Sequence, residues 1–346
     1  MSGRYTCESP KNASPAVAGA HMLRLFRDID GPAVSPQGCV ACVGAFDGLH
    51  LGHRALIERT VERARALGLP AAVVCFEPLP REFFSPADPP PRLMLPGARL
   101  RMLDTMGVDI VGQLRFNARL TQLDAIEFID RILVDRLHAR EVLVGPDFRF
   151  GRGRGGDLAV LHDRGAQAGF VAEAIAPMTL AGERVSSSAI RAALAVGDFA
   201  TATRLLGRPY TIGGRVVRGK QLGRTLGFPT ANLRFDKKPA LQGIYATWVH
   251  GVGGRPWPSV SSFGTRPTVD GVEPLLEAHL FDWNSHSAVE SDDGDLYGKY
   301  IEVEFVAKLR DEEKFESLDA LTAQMQRDAA SARTLLQQSS TTPALK

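Results

Sequence analysis

The hydrophobic pattern of this 346-residue chain changes once, near Gly207-Arg208-Pro209, and this change constrains the fold more than any other feature. Before it, short apolar runs alternate with amphipathic helical stretches, which is typical of a parallel sheet with helices on both faces. After it, strand-like runs follow one another with glycine and proline turns between them, which predicts a small antiparallel barrel. The sequence therefore predicts two domains of different class, with the boundary near residues 200–209.

The predicted elements follow from the period of the apolar residues. In the first part, strands are predicted at 39–43, 71–76, 108–114, 141–144 and 170–175, and helices at 51–67, 98–106 and 123–137. In the second part, strands are predicted at 211–217, 244–249, 259–263, 275–281 and 300–306, and a closing helix at 318–336. The predicted division is a disordered extension at 1–21, a first domain at 22–206, a second at 207–336 and a disordered tail at 337–346.

Composition excludes several classes of protein. A net charge of +2 gives no broad attraction to nucleic acid or to a membrane surface. No apolar run approaches the roughly 20 residues that span a bilayer, and residues 1–21 lack the apolar core of a signal peptide. Cys39 and Cys42 form a C-x-x-C, but on a strand they would point to opposite faces. We expect a cytoplasmic monomer or weak homo-oligomer without nucleic-acid or membrane partners.

The segment GAFDGLHLGH, residues 44–53, falls where a predicted strand ends and a helix begins. At this edge of a parallel sheet, open glycine backbone and free helix amides attract a phosphate. His50 and His53 share a helical face, so both can donate to phosphate oxygens as charge builds. A glycine turn with incidental histidines, or a metal pair lacking a third ligand, is the alternative. The predicted ATP contacts here are Gly44, Phe46, Asp47, Gly48, His50, Gly52 and His53.

A second part of this site is predicted at VSSSAIRAAL, residues 185–194. The serines are good helix caps. Arg191 near the helix start opposes the macrodipole by roughly 0.3–1 kcal/mol, and a bound polyphosphate would reverse that sign. A surface arginine that extends to solvent explains this residue equally well when it is taken alone. The predicted ATP contacts of this segment are Ser186, Ser187, Ser188 and Arg191.

The segment VGPDFRFGRGRGGD, residues 144–157, places Asp147 and Phe148 at the same sheet edge, followed by a mobile glycine–arginine loop. Phe148 can stack on an aromatic ligand or belong to the core. The run 152–156 is either a loop over a nucleotide or a short nucleic-acid contact. We favour the nucleotide loop, because one basic run in a near-neutral chain is weak evidence for RNA binding.

The segment GRTLGFPTANL, residues 223–233, is the most specific in the chain. In extended backbone Thr230 and Asn232 project to one side. Their hydroxyl and amide oxygens are hard ligands, suited to Mg²⁺ that is otherwise bound by water and nucleotide phosphates. A basic, glycine-rich lead-in can cover those phosphates, as phosphoryl transfer requires. The predicted ATP contacts of this segment are Gly219, Lys220, Gly223, Arg224, Thr230 and Asn232.

Phosphoryl transfer also needs a group that takes the proton of the acceptor hydroxyl. Glu277 lies in PLLEAHLFDW, where alternation places Leu276 and Ala278 on one face and Glu277 with His279 on the other. A carboxylate on a mostly apolar strand is costly unless it is paired or used. Glu277 is therefore the candidate base, the alternative being the solvated face of an edge strand.

Both constellations, in this order, resemble the bacterial bifunctional riboflavin kinase/FAD synthetase family over about residues 22–336. Further matching segments are FEPLPREFF, VGPDFRFG, VSSSAIR, GIYA, FGTRPTV, LEAHLFDW, DLYG and LRDEEKF. The resemblance implies a doubly wound, Rossmann-like nucleotidyltransferase domain that adenylylates FMN to FAD. It implies, second, an antiparallel riboflavin kinase barrel with a C-terminal helix that phosphorylates riboflavin to FMN. Both domains of that family use ATP with Mg²⁺.

The resemblance also implies roles for individual residues. Glu277 carries over as the kinase base, Thr230 and Asn232 as Mg²⁺ and nucleotide ligands, and His50 with His53 as the catalytic pair of adenylylation. Asp147 and Phe148 are the expected flavin contacts of the first domain.

Three positions depart from the usual family pattern. Leu79 stands where many relatives carry histidine, Ala189 where arginine is common, and Ser262 where asparagine is common. A riboflavin kinase with a weak or vestigial first domain is therefore the alternative function. A non-catalytic flavin- or nucleotide-binding regulator is a third reading, which would leave the Mg²⁺ and base positions idle.

Overall fold

The computed structural model describes residues 22–219, 226–237, 240–268, 271–283 and 296–340. The predicted extension 1–21 lies outside the described residues, and so do Lys220, Gly223 and Arg224 of the predicted phosphate loop. The last helix continues to Ser340, so the expectation of a disordered tail is wrong for residues 337–340. Residues 341–346 also lie outside the described part.

The first sheet is parallel, as predicted, and its strand order contains a switch point. Its strands are β1 (Arg24–Phe26), β2 (Cys39–Val43), β3 (Ala71–Glu77), β4 (Ile110–Arg115), β5 (Ala139–Val144) and β6 (Val171–Ala174). They lie in the order β1-β4-β3-β2-β5-β6. From β2 the chain first extends the sheet through β3 and β4, then returns to the other side of β2 with β5 and β6. The carboxyl ends of β2 and β5 therefore border the crevice where such sheets bind ligands.

Helices cover both faces of this sheet. They are α1 (Leu51–Leu67), α2 (Pro80–Phe84), α3 (Pro96–Thr105), α4 (Ala118–Gln122), α5 (Ala125–Phe128), which continues as a π-helix (Ile129–Arg136), α6 (Leu158–Ala168), α7 (Ser187–Ala195) and α8 (Phe199–Leu206). The helix predicted at 123–137 is thus partly a π-helix. A two-stranded hairpin, β7 (Thr179–Leu180) and β8 (Glu183–Arg184), precedes α7.

The two faces of the sheet have separate cores. Cys39 packs with α5, the π-helix and α6, whereas Cys42 packs with α1 and α3. The doubly wound arrangement is therefore confirmed. Both thiols are free and buried on opposite faces, as the alternation predicts.

The second domain is an antiparallel barrel of six strands. They are β9 (Thr211–Arg215), β10 (Ala231–Arg234), β11 (Gly243–His250), β12 (Trp257–Thr268), β13 (Gly271–Leu280) and β14 (Tyr300–Arg310), in the order β10-β13-β12-β11-β14-β9. A bridge between Val217 and Asn232 brings the chain after β9 against β10 and nearly closes the barrel. The last helix, α9 (Leu318–Ser340), packs on the outside of the barrel through Ala332 and Leu336.

The two domains share one hydrophobic core. Ile190 of α7 and Phe199 of α8 pack into the same cluster as Tyr245 and Phe305 of the barrel. The ring of Phe199 lies parallel to that of Phe305 with centroids 6.2 Å apart, and meets Tyr245 edge-on at 5.8 Å. Helices α7 and α8 are therefore held by the barrel as well as by their own domain.

This shared core predicts the effect of Phe199→Ala. Truncating a buried aromatic removes transfer free energy and leaves a cavity, so the free energy of unfolding should fall by about 3–5 kcal/mol. Urea denaturation followed by tryptophan fluorescence and circular dichroism measures the loss. Val196→Ala is the control, because Val196 is 78% exposed and its truncation should change stability by less than about 0.5 kcal/mol. Equal stability of the two variants would contradict the shared core.

Candidate active sites

The turn between β2 and α1 has a backbone that most residues avoid. Phe46, Gly48 and Leu49 have φ values of 50°, 87° and 43°. The left-handed region suits glycine but strains Phe46 and Leu49, so the surroundings must hold the turn in place. Phe46 is fully buried and meets the ring of His53 edge-on at 5.3 Å. This predicted ATP contact therefore supports His53 from the core side.

His50 and His53 form a stacked pair at the start of α1. His50 is the N-cap residue, and its Nδ1 accepts a hydrogen bond from the His53 backbone N–H at 3.2 Å. The two rings stack with centroids 3.6 Å apart. Burial lowers the pKa of His50 to about 4 and that of His53 well below its ordinary value. Both imidazoles are neutral near pH 7, and His50 keeps its proton on Nε2 because Nδ1 accepts.

Asp47 joins the turn to two distant segments. Its carboxylate is buried and accepts hydrogen bonds from the backbone N–H groups of Leu93 and Met94, at 3.2 Å and 3.1 Å. It also forms an ion pair with Arg191 of α7 at 2.5 Å. The Ser187 hydroxyl donates to the Asp47 carbonyl at 3.0 Å. The predicted turn and the predicted α7 segment therefore meet at Asp47.

Arg191 has two partners within the chain, the Asp47 carboxylate and the Pro91 carbonyl. Besides Asp47, its guanidinium donates to the Pro91 carbonyl at 2.7 Å. A polyphosphate is therefore not needed to explain a cation near this helix start. Ser186 caps α7 by accepting from the Ala189 N–H at 3.2 Å, whereas Ser188 is exposed. Of the three serines, Ser188 has the side chain most open to a ligand.

Two buried arginines, which the sequence analysis did not identify, form ion pairs and hydrogen bonds with the segments around the turn. Arg92 forms ion pairs with Glu77 and Glu82, and its side chain is 1% exposed. Arg99 donates to the carbonyl of Ala45 at 3.2 Å and to Glu77 at 3.3 Å. Glu77 and Glu82 stand in the segment FEPLPREFF, where charge within an apolar run was the available signal.

The departures from the family pattern lie in packed positions. Leu79 is 4% exposed at the start of α2, and Ala189 is half-buried against the core shared by the domains. The stack of His50 on His53 and the hydrogen bond from the His53 N–H to His50 Nδ1 involve neither of these side chains. The histidine pair is therefore intact despite both changes.

Asp147 and Phe148 follow β5, beside the carboxyl end of β2, as predicted. Asp147 is exposed and pairs with Arg184 of the hairpin at 2.5 Å. Phe148 stacks on Phe150 at 5.2 Å and packs against the first-domain core, so its ring is partly a core group. The two ends of the glycine–arginine segment, residues 150–156, are joined by two backbone hydrogen bonds between Phe150 and Gly156, at 3.1 Å and 2.9 Å.

A cavity of about 380 Å³ lies between the outer face of the barrel and α9. Its lining combines apolar side chains with hydroxyl, carboxylate, imidazole and guanidinium groups. Its lining includes Phe228, Thr230, Ile244, Val260, Ser262, Glu277, His279, Arg310, Phe315, Leu321, Met325 and Asp328. Pockets of this size, with an apolar lining and a few convergent polar groups, suit small planar ligands.

Strand register gathers the predicted kinase residues around Glu277. On β13 it lies opposite Asn232 of β10 on one side and Ser262 of β12 on the other. His279 shares its face, as predicted, while Leu276 and Ala278 belong to the barrel core. The imidazole of His279 donates from Nδ1 to the Pro229 carbonyl at 2.9 Å. This bond holds the segment that carries Thr230.

Asn232 has an unused acceptor. Its side-chain N–H groups donate to the Thr230 carbonyl at 3.0 Å and to the Thr230 hydroxyl at 3.3 Å. Its Oδ1 is buried and makes no hydrogen bond within the described part of the chain. A Cβ at Gly219 would lie 2.6 Å from this oxygen, so the glycine permits the close approach. A buried oxygen without a donor is a natural ligand for a cation.

The fold and the two sites define a two-domain transferase acting on nucleotides. The model of the FAD synthetase family matches residues 33–189, and that of riboflavin kinase matches residues 206–336. The chain belongs to the family of bifunctional riboflavin kinases/FMN adenylyltransferases, which confirms the resemblance.

Individual relatives cover nearly the whole chain. The bifunctional riboflavin kinase/FMN adenylyltransferase of Pseudomonas fluorescens is 45% identical over 90% of this chain and 98% of that protein. The Escherichia coli K12 protein of the same description is 44% identical over 90% of this chain and 97% of that protein. A crystal structure described as a macrolide-efflux protein from Streptococcus pneumoniae has a TM-score of 0.70 and 28% identity, covering 90% and 98% of the two chains. Among the described residues, no helix is both long enough and apolar enough to cross a membrane.

The lowered pKa of His50 predicts how stability depends on pH. The imidazole is neutral in the folded state down to about pH 4 but binds a proton near its ordinary pKa when unfolded. Its contribution is therefore fully present above about pH 6.5 and is lost as the pH falls toward 4. His50→Asn keeps a capping acceptor and should lose less stability over this range. Urea unfolding at several pH values measures this, and parallel pH profiles would contradict it.

Proposed function

We propose that this chain makes FAD from riboflavin in two ATP-dependent steps, one at each site. The barrel site phosphorylates riboflavin to FMN, and the turn between β2 and α1 transfers AMP from ATP to FMN. The observation that carries the proposal is the joint presence of two constellations of polar residues in one chain. One is Glu277 beside Asn232 in the barrel cavity, and the other is the stacked histidine pair at the sheet's switch point.

In the kinase step, Glu277 accepts the proton of the riboflavin 5′-hydroxyl as its oxygen attacks the γ-phosphorus of ATP. The new oxygen–phosphorus bond forms, the bond to the β-phosphate oxygen breaks, and ADP leaves. The apolar side chains that line the cavity, including Ile244 and Met325, suit the flavin ring. The protein contributes position and a base, which is what phosphoryl transfer requires.

Mg²⁺ is the cation that this donor set fits best. The free Oδ1 of Asn232 and the hydroxyl of Thr230 are hard oxygen ligands. No cluster of three or more His, Cys, Asp or Glu side chains suited to a metal occurs in the described residues. The remaining ligands would therefore come from nucleotide phosphates and water. The ion neutralises phosphate charge when bound. Gly219 lies against Asn232, and Lys220, Gly223 and Arg224 stay predicted phosphate contacts.

In the adenylylation step, an ionised phosphate oxygen of FMN attacks the α-phosphorus of ATP. The bond to the β-phosphate breaks and pyrophosphate leaves, so no base is needed. The neutral imidazoles of His50 and His53 donate hydrogen bonds to the α-phosphate as charge develops, together with the amides at the start of α1. Ser188 is open to the nucleotide, and Asp147 and Phe148 border the crevice in which we place the flavin.

The remaining properties come from the family or from the sequence alone. The substrates riboflavin, FMN and ATP follow from the family. A cytoplasmic location, a monomeric or weakly oligomeric state and the lack of nucleic-acid and membrane partners stay predictions of the sequence.

A product time course tests the function. Purified protein with riboflavin, ATP and Mg²⁺ should form FMN first, then FAD with stoichiometric pyrophosphate. Chromatographic separation of the flavins and a coupled pyrophosphate assay follow both steps. A reaction that stops at FMN, even with FMN supplied, would eliminate the second activity and leave a kinase alone.

Glu277→Gln separates the two sites. Removing a general base should lower the rate of FMN formation by roughly 10²–10⁴-fold, while conversion of supplied FMN to FAD should stay within about twofold of wild type. Glu273→Gln is the matched control, because Glu273 lies on the same strand, pairs with Arg234 and is absent from the cavity lining. If Glu277→Gln phosphorylated riboflavin at the wild-type rate, Glu277 would not be the base.

A further inference from the structure

The segment that connects the two domains lies directly on the first turn of α1. Gly207 ends α8 in the left-handed conformation, with a φ of 69°. A Cβ at this position would lie 2.4 Å from Cδ2 of Leu51, the first residue of α1. The beginning of the second domain is therefore packed against the turn that carries the histidine pair.

The side chain of Arg208 ties this segment to the turn. Its guanidinium donates to the carbonyl of Gly48 at 2.8 Å and to that of Leu49 at 3.3 Å. The same group reaches the carbonyl of Leu206 at the end of α8, at 3.4 Å. One planar donor thus joins the last turn of α8 to the two residues before His50.

The positive charge of Arg208 is stabilised by the backbone carbonyls to which its guanidinium donates. Among the described residues, no carboxylate lies within ion-pair distance of it. Burial lowers the pKa of Arg208 to about 10, so it is still protonated near pH 7. Arg54 further lowers the pKa of Arg208, whereas Tyr210 and Glu302 raise it, and Arg208 itself lowers the pKa of His50. Placing a cation in a partly buried position without a carboxylate is costly, and here the guanidinium donors are hydrogen-bonded to the carbonyls of the turn.

The turn needs such a restraint. Gly48 and Leu49 both have positive φ, and strained backbone persists only where its surroundings hold it. Asp47 and Ser187 restrain the turn from the side of α7. Arg208 restrains it from the other side through the two carbonyls that lead into the N-cap residue His50.

We propose that Arg208 is a positioning residue for adenylylation, through which the start of the kinase domain holds the histidine turn in its reactive conformation. Arg208 acts through the backbone of the turn and not on the substrate. This inference rests on the proposed adenylylation at this site. It also gives the fusion of the two domains a direct consequence, because part of the adenylylation turn is supported by the kinase half.

Arg208→Ala and Arg208→Lys test the inference in the full-length chain. With FMN, ATP and Mg²⁺ supplied, kcat for FAD formation should fall by about 10–100-fold in Arg208→Ala, because small displacements of catalytic groups cost this much. Lysine keeps the charge but not the planar fork, so Arg208→Lys should retain an intermediate kcat. Riboflavin phosphorylation should stay within about twofold of wild type in both, which shows that the barrel is folded.

Arg136→Ala is the matched control. Arg136 is buried and, like Arg208, donates to a backbone carbonyl, that of Pro32. It lies before β5, at the edge of the sheet opposite the turn. Its loss should lower the melting temperature but leave kcat for FAD formation unchanged. The inference is overturned if Arg208→Ala keeps kcat within twofold, or if both alanine variants lower it equally.

Hydrogen exchange gives a readout that does not depend on activity. Amides of residues 46–56 should exchange at least tenfold faster in Arg208→Ala than in wild type, while those of β5 should not change. If wild type makes no FAD, the proposed function fails, and the exchange rates still decide whether Arg208 holds the turn. Unchanged exchange with an unchanged kcat would reject the role of Arg208 and leave the proposed function intact.

Discussion

The carboxylate of Asp47 holds three parts of the first domain in one place. Burial raises the pKa of this group, and the Arg191 guanidinium with the N–H groups of Leu93 and Met94 opposes that effect. Because a buried carboxylate must be paired, the turn, residues 91–94 and α7 are bound to each other. The conformation of the turn between β2 and α1, and with it the stacking of His50 on His53, depends on this pairing.

The domain boundary that the sequence marks does not separate two hydrophobic cores. Helices α7 and α8 belong to the first domain by chain order, but Ile190 and Phe199 enter the barrel core. Arg208 then carries a polar link from the start of the second domain back to the turn. The relative position of the two domains is therefore set by an apolar contact and a polar contact at the same place.

The two sites differ in charge in a way that suits their reactions. The first holds neutral imidazoles next to helix amides, and in the proposed adenylylation these groups donate to a phosphate without repelling a cation nearby. The second places the carboxylate of Glu277 beside the amide oxygen of Asn232, and in the proposed kinase step these groups accept a proton and a hard cation. An acceptor hydroxyl needs a base, whereas an ionised phosphate does not, so the difference follows from the chemistry of each nucleophile.

The sequence by itself determined the fold class, because the period of the apolar residues differs between the halves. It located β2 and α1 to the residue, and with them His50 and His53, since a strand end and a helix start define that edge. The sequence did not predict β1 and β10, because strands of three and four residues are too short to show an alternation of apolar and polar residues. Only the tertiary structure paired Arg191 with Asp47, 144 residues away, and brought α9 over Glu277. Such contacts depend on which distant segments pack together, and the local pattern of apolar and polar residues does not contain that information.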